Sequence, residues 1–180
     1  MVIPNAFSLV LVLFVAGCAQ FTNRSGDDPL AFLAPGSEMQ LVRDLEISSG
    51  ETRVFFQRGQ VITKGELDYY HPSCDLEVRT LKQTPQTVTK DLFIIGKLTS
   101  GRESVVDLGK LKVADSGPLA RIFTERGVSV HRYLRIELHS ALQPDVMRLT
   151  CRGAWDDYNM ARFPSAVEIK LALGEIMAFH

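Results

Sequence analysis

Apolar and polar residues alternate with period two through most of the chain beyond Ser37, and this constrains the fold more than any other feature. Successive side chains of a strand point to opposite faces, so alternation commits a segment to a half-buried antiparallel sheet. Met39, Leu41, Leu45 and Ile47 fall on one face of a first strand, broken only at Arg43. Gly50 marks a turn before residues 53–57, and Arg58-Gly59-Gln60 reads as a tight turn. Cys74, Leu76 and Val78 share a face opposite Asp75, Glu77 and Arg79. Residues 92–98 are almost continuously apolar, which predicts a more buried strand ending at the turn Thr99-Ser100-Gly101, and residues 105–113 give a further strand.

The best-defined pair comes later. Val128, Val130, Leu134, Ile136 and Leu138 lie on one face, and Met147, Leu149 and Cys151 on another, separated by residues 140–145. A hairpin in which His139 opposes Val146 pairs Leu138 with Met147, Ile136 with Leu149 and Leu134 with Cys151, and sets Glu137 beside Arg148 on the outer face. Ser165-Ala166-Val167-Glu168 fits a capping box, in which Ser165 and Glu168 satisfy each other's backbone amides and start a helix. Ala166, Ile169, Ala172, Leu173 and Ile176 then share a stripe that Val167 and Leu171 widen, with Gly174 weakening it. These elements predict a mainly β domain, an antiparallel sandwich or partly open barrel with one C-terminal helix, or alternatively a two-layer α+β arrangement.

The first part of the chain is different in kind. Residues 6–15 read AFSLVLVLFV, an apolar run of about half the length a bilayer-spanning helix needs, as in the core of a secretory signal. The run ends in Val15-Ala16-Gly17-Cys18, which resembles the lipobox of bacterial lipoproteins. The resemblance implies cleavage after residue 17, acylation of Cys18, and a stable anchor made by several acyl chains, with that covalent lipid the sole attached group expected. Ala19 stands where an Asp is the family's usual signal for inner-membrane retention, which implies the outer membrane. The organisation expected is a signal peptide over 1–17, a lipidated N-terminus and flexible tether over 18–36, and one globular domain over 37–180. Within the tether Leu30-Ala31-Phe32-Leu33 is apolar enough to dock on its own domain.

Charge and residue chemistry narrow the function. With 20 Lys and Arg against 21 Asp and Glu, the chain has no basic excess to hold a phosphate backbone, so a nucleic-acid partner is not expected. Cys74 and Cys151, both on apolar strand faces of a chain read as exported to an oxidising compartment, are expected to form a disulfide. An immunoglobulin-type domain would place a Trp between them, and the only Trp, Trp155, follows both. His131 and His139 sit eight residues apart on one strand, roughly 27 Å, too far to share an ion, and read as solvated surface side chains. No metal site is expected, and no hydrolase motif such as G-x-S-x-G is present.

Two clusters remain as possible binding surfaces. Tyr69, Tyr70 and His71 precede Pro72 in a loop suited to a protein interface or to covering the disulfide, and Trp155, Asp156 and Asp157 combine an aromatic ring with an acid pair. The sequence thus predicts a non-catalytic, lipid-anchored accessory protein on the periplasmic face of the outer membrane, with an envelope protein as partner. The alternative is a glycan-binding protein or hydrolase using the Trp155-Asp156-Asp157 region.

Overall fold

The computed structural model describes residues 30–104 and 129–180. Cys18, the apolar run before it, the strand expected over 105–113 and Val128 lie outside the described residues. Among the described residues eleven strands form, in order β1 (Glu38–Leu41), β2 (Leu45–Ile47), β3 (Arg53–Gln57), β4 (Gln60–Ile62), β5 (Ser73–Val78), β6 (Gln86–Val88), β7 (Asp91–Ser104), β8 (Ser129–His139), β9 (Val146–Arg152), β10 (Asp156–Asp157) and β11 (Met177–Phe179), with one α-helix among the same residues, α1 (Ala166–Leu173). Nine of the strands make one antiparallel sheet in the order β11-β1-β7-β8-β9-β5-β3-β4, with β10 added on β8, while β2 and β6 pair separately. The large sheet curls into a half-barrel, so the mainly β expectation with one C-terminal helix is met. Among the described residues no helix is long and apolar enough to cross a membrane.

The core lies on the face marked by the alternation. Met39, Leu41, Phe56, Leu76, Phe93, Ile136 and Leu149 are fully buried there, and Leu45 and Ile47 join them from the small sheet. The expected first strand is therefore two strands in two sheets, with the break at Arg43. The hairpin register holds across Leu134↔Cys151, Ile136↔Leu149 and Glu137↔Arg148. Cys74 and Cys151 oppose each other directly on β5 and β9 and form a disulfide with Cα atoms 4.0 Å apart.

Four expectations change. Residues 99–101 do not turn: β7 runs straight through them and pairs with β8 at Arg135, Leu134 and Tyr133. Gly101 is there for a close approach, since a Cβ would stand 2.5 Å from the Tyr133 hydroxyl that lies across it. Leu92 and Ile94, read as buried, are 43% and 42% exposed, because the core side of this stretch is taken by Phe93 and Ile95, with Leu98 packed partly against it. Met147 is half-buried rather than inward, because it is the extra residue of a bulge: Glu77 faces Arg148 while Val78 faces Val146. β5 is buried on both faces, Asp75 and Glu77 included, because arginines on the neighbouring strands cover its acidic side.

The C-terminal helix begins as the capping box requires, with the Ser165 side chain accepting from the Glu168 amide and Glu168 accepting from the Ser165 amide. Ile169, Ala172 and Leu173 are buried, whereas Val167 and Leu171 stay about two-thirds exposed and add nothing to the packed stripe. The helix ends against the β3–β4 turn, where the Gly59 amide donates to the Ala172 carbonyl. Gly59 and Gly174 both have positive φ, and a Cβ on Gly174 would lie 2.6 Å from the Gly59 Cα, so only two glycines allow this contact. Beyond it β11, which the sequence pattern did not predict, pairs with β1. The segment Leu30-Ala31-Phe32-Leu33 docks on its own domain: Leu33 is fully buried and the Phe32 ring meets Phe179 edge-on at 4.7 Å. The packed body therefore includes residues 30–36, which composition alone assigns to the tether.

Candidate functional site

Tyr69, Tyr70 and Trp155, drawn from the two clusters singled out in the sequence, come together at the end of the sheet away from the β8–β9 turn. The loop after β4 is shaped by a capping box between Thr63 and Glu66 and then clamped by Gln57. Gln57 is 5% exposed, and its amide donates to the Asp68 carbonyl at 2.8 Å and the His71 carbonyl at 3.1 Å while accepting from the Asp68 amide. One buried side chain thus fixes the loop that carries both tyrosines. The Trp155 amide donates to the Tyr69 carbonyl at 2.8 Å and ties the second segment to the first.

The rings follow from that backbone. Tyr70 and Trp155 have centroids 5.5 Å apart, Tyr69 and Trp155 6.5 Å, and Tyr69 and His131 5.8 Å. The tyrosines do not cover the disulfide, whose cysteines belong to the core on the opposite face. Tyr70 is 69% exposed, and the segment after Trp155 also presents Tyr158, Met160 and Phe163 to solvent. Arg102 stacks over Tyr158 at 4.4 Å and Arg132 over Phe163 at 5.3 Å.

His131 corrects the reading of a solvated histidine. It is only 3% exposed, with Nδ1 2.9 Å from the Gly153 carbonyl. A carbonyl can only accept, so Nδ1 carries the proton and Nε2, which has no partner, keeps a lone pair. Burial holds the imidazole below its ordinary value, against the opposing effect of the Gly153 carbonyl. Gly153 is required, since a Cβ there would stand 2.2 Å from the Arg162 carbonyl oxygen of the returning chain.

Beside the aromatic cluster runs a charge network absent from the expected site. Arg152 on β9 holds Asp75 and, at 3.1 Å, Glu103, and Arg53 and Arg148 both reach Glu77. Burial works against the Arg152 charge, but Asp75 and Glu103 outweigh it and hold the guanidinium protonated. For Glu77 burial likewise opposes the charge, yet Arg148 and Arg53 pull its carboxyl below the ordinary range. Burial pushes the Asp75 carboxyl up, with Arg152 pulling it back. A cleft of about 410 Å³ opens over this network between Phe55, Tyr69, His131 and Arg152. Its signal in sequence is an acidic strand, Asp75 and Glu77, lying between two strands that carry arginines.

The remaining expected residues stand at the margin. His71 is half-exposed and lies 3.6 Å from Asp68. Asp156 and Asp157 are exposed on β10, paired through backbone with Val130 and Ser129, and do not face each other across a cleft. Among the described residues no three His, Cys, Asp or Glu side chains gather as metal ligands would. Compared with protein-family models, curated proteins and solved structures, the chain matches none significantly.

Proposed function

We propose that this protein is a lipid-anchored accessory protein of the bacterial envelope, held through Cys18 on the periplasmic face of the outer membrane, with a non-catalytic role in docking a protein partner. The observation that carries the reading is the exposed Tyr70 ring set against Trp155 on a loop immobilised by Gln57. Aromatic side chains bury large area at low entropic cost, and a pinned loop has paid its ordering cost before the partner arrives. Tyr158, Met160 and Phe163 extend the same apolar surface with residue types enriched in protein interfaces. The anchor rests on the apolar run and Val15-Ala16-Gly17-Cys18, and the disulfide accords with an oxidising compartment.

In-cell crosslinking followed by affinity capture tests the docking. One dominant envelope protein should be recovered with the natural chain and lost with Tyr70→Ala, a change at an exposed side chain that leaves the core intact. No partner above background, or one retained by Tyr70→Ala, overturns the reading. For the anchor, Cys18→Ser should abolish incorporation of radioactive palmitate, and undiminished labelling would refute it.

A further inference from the structure

A second cleft, of about 740 Å³, lies at the end of β8 and β9 nearer their turn. Two irregularities shape it. The β9 bulge leaves Met147 without a partner on β5, and the consecutive residues Met147 and Arg148 both line the cleft. In a regular strand neighbours point to opposite faces, so the bulge is what puts an apolar and a cationic side chain in one place. On β7, Ile95 faces Leu138 and Leu98 faces Ile136, so β7 carries one residue more than β8 over this stretch, and Ile94 lines the cleft 42% exposed.

The charge is lopsided. Arg79, Arg135 and Arg148 line the cleft against the single carboxylate of Glu137. Arg148 is engaged by Glu77 at 2.6 Å, but among the described residues neither Arg79 nor Arg135 has a carboxylate partner. Arg135 lies 4.7 Å over the Tyr133 ring, and its buried Nε has no acceptor. A guanidinium held in place with unused donors is a ready clamp for anionic oxygens. Beside it Ile94, Met147 and Pro144 line the same cleft with apolar surface.

We propose that this cleft binds an anionic amphiphile, with a phosphate or carboxylate head held by Arg135 and Arg79 and an aliphatic chain laid against Ile94, Met147 and Pro144. The head neutralises the guanidiniums that have no carboxylate partner among the described residues, and the chain covers Ile94, Pro144 and the Met147 side chain left unpaired by the bulge. This site is remote from Tyr70 and Trp155, so it stands or falls independently of the partner surface.

Hexyl phosphate is the probe, with inorganic phosphate as the head alone and 1-hexanol as the tail alone, titrated into the full chain while the Met147 methyl resonance is followed by NMR and assigned through Met147→Leu. Hexyl phosphate should shift that resonance to saturation and bind at least about tenfold more tightly than either half. Arg135→Gln should weaken it at least about tenfold without lowering the melting temperature, since Arg135 has no carboxylate to lose. The more exposed Arg79→Gln should weaken it too, and serves if the first variant folds poorly. No shift with hexyl phosphate overturns the proposal. Equal affinity for inorganic phosphate shows a bare anion site, equal affinity for hexanol an apolar pocket, and undiminished binding by both arginine variants a site elsewhere; each of these also overturns it.

Discussion

Reducing the Cys74–Cys151 disulfide should cost this domain a large part of its stability through the unfolded chain rather than the folded one. The two cysteines are directly opposed in a strand pair whose rungs on either side, Ser73↔Arg152 and Asp75↔Thr150, already fix the register. After reduction both thiols remain in the core, at 1% and 0% exposure, where a small weakly polar group is well accommodated. What changes is the freedom of the unfolded chain. With the cysteines 77 positions apart in sequence, the chain-entropy relation gives about 4.5 kcal/mol at 25 °C. With a urea dependence of about 1.5–2 kcal/mol per molar, the midpoint should fall by roughly 2–3 M. Urea melts of the same protein, with and without reductant throughout unfolding and refolding, compare identical side chains. A shift of less than about 0.5 M would mean that the unfolded chain is already confined in this region, and would refute the entropic reasoning.

Four further outcomes follow from the contacts in this structure. Arg152→Met removes the closest cation from Asp75, which is 0% exposed, and should cost about 3–5 kcal/mol in urea melts, with Asp75→Asn added to it recovering part of the loss. His131 has a depressed folded value, so below about pH 6.5 the unfolded chain takes up a proton that the folded one refuses; the urea midpoint should fall from about pH 7.5 to 5.5, and His131→Asn should flatten that fall. Glu77, held low against burial by Arg148 and Arg53, and Asp91, held low against slight burial by hydrogen bonds from Ser140 and Gln143, add to acid sensitivity only below about pH 5, where the unfolded carboxylates protonate first. Gly174→Ala should cost more than Gly50→Ala: both have positive φ, but a Cβ on Gly174 meets the Gly59 Cα at 2.6 Å while one on Gly50 meets nothing within 4 Å. Melting temperatures of the two variants separate strain from clash, and equal losses would show that the helix-end contact carries no weight.

Local patterns in the sequence were legible where one residue decides one outcome. Period two marked the core face of β8 and, apart from Met147, of β9, with a hairpin register that the observed pairs match although a slip by two residues would have kept the same faces, and Ser165 with Glu168 marked the start of α1. Reading failed where the same residue has two possible uses. Gly101 looked like a turn because glycine permits positive φ, yet here it makes room for the Tyr133 ring. Leu92 and Ile94 looked buried because hydrophobicity does not say which face is covered. The aromatic cluster was half visible: Tyr69, Tyr70 and Trp155 were singled out separately, but their meeting depends on Gln57, a polar side chain that no periodicity marks as a clamp. The burial of Asp75 and His131 depends on strand order, through arginines on β3 and β9 and the return of the chain past Gly153, and strand order is not written in any one segment.

The place of β11 bears on how the molecule acquires its shape. β1 is one of the first strands in the chain and β11 the last described, and their ladder pairs Leu41 with Met177. Contacts between positions so far apart form late, because closing a long loop must be offset before the pairing returns anything. Until β11 arrives, one side of β1 offers a row of unused amides and carbonyls to whatever chain is near. Docking of β11 therefore closes that side of β1, and a chain in which β11 is still undocked exposes one more sheet edge for unintended pairing than the folded domain does.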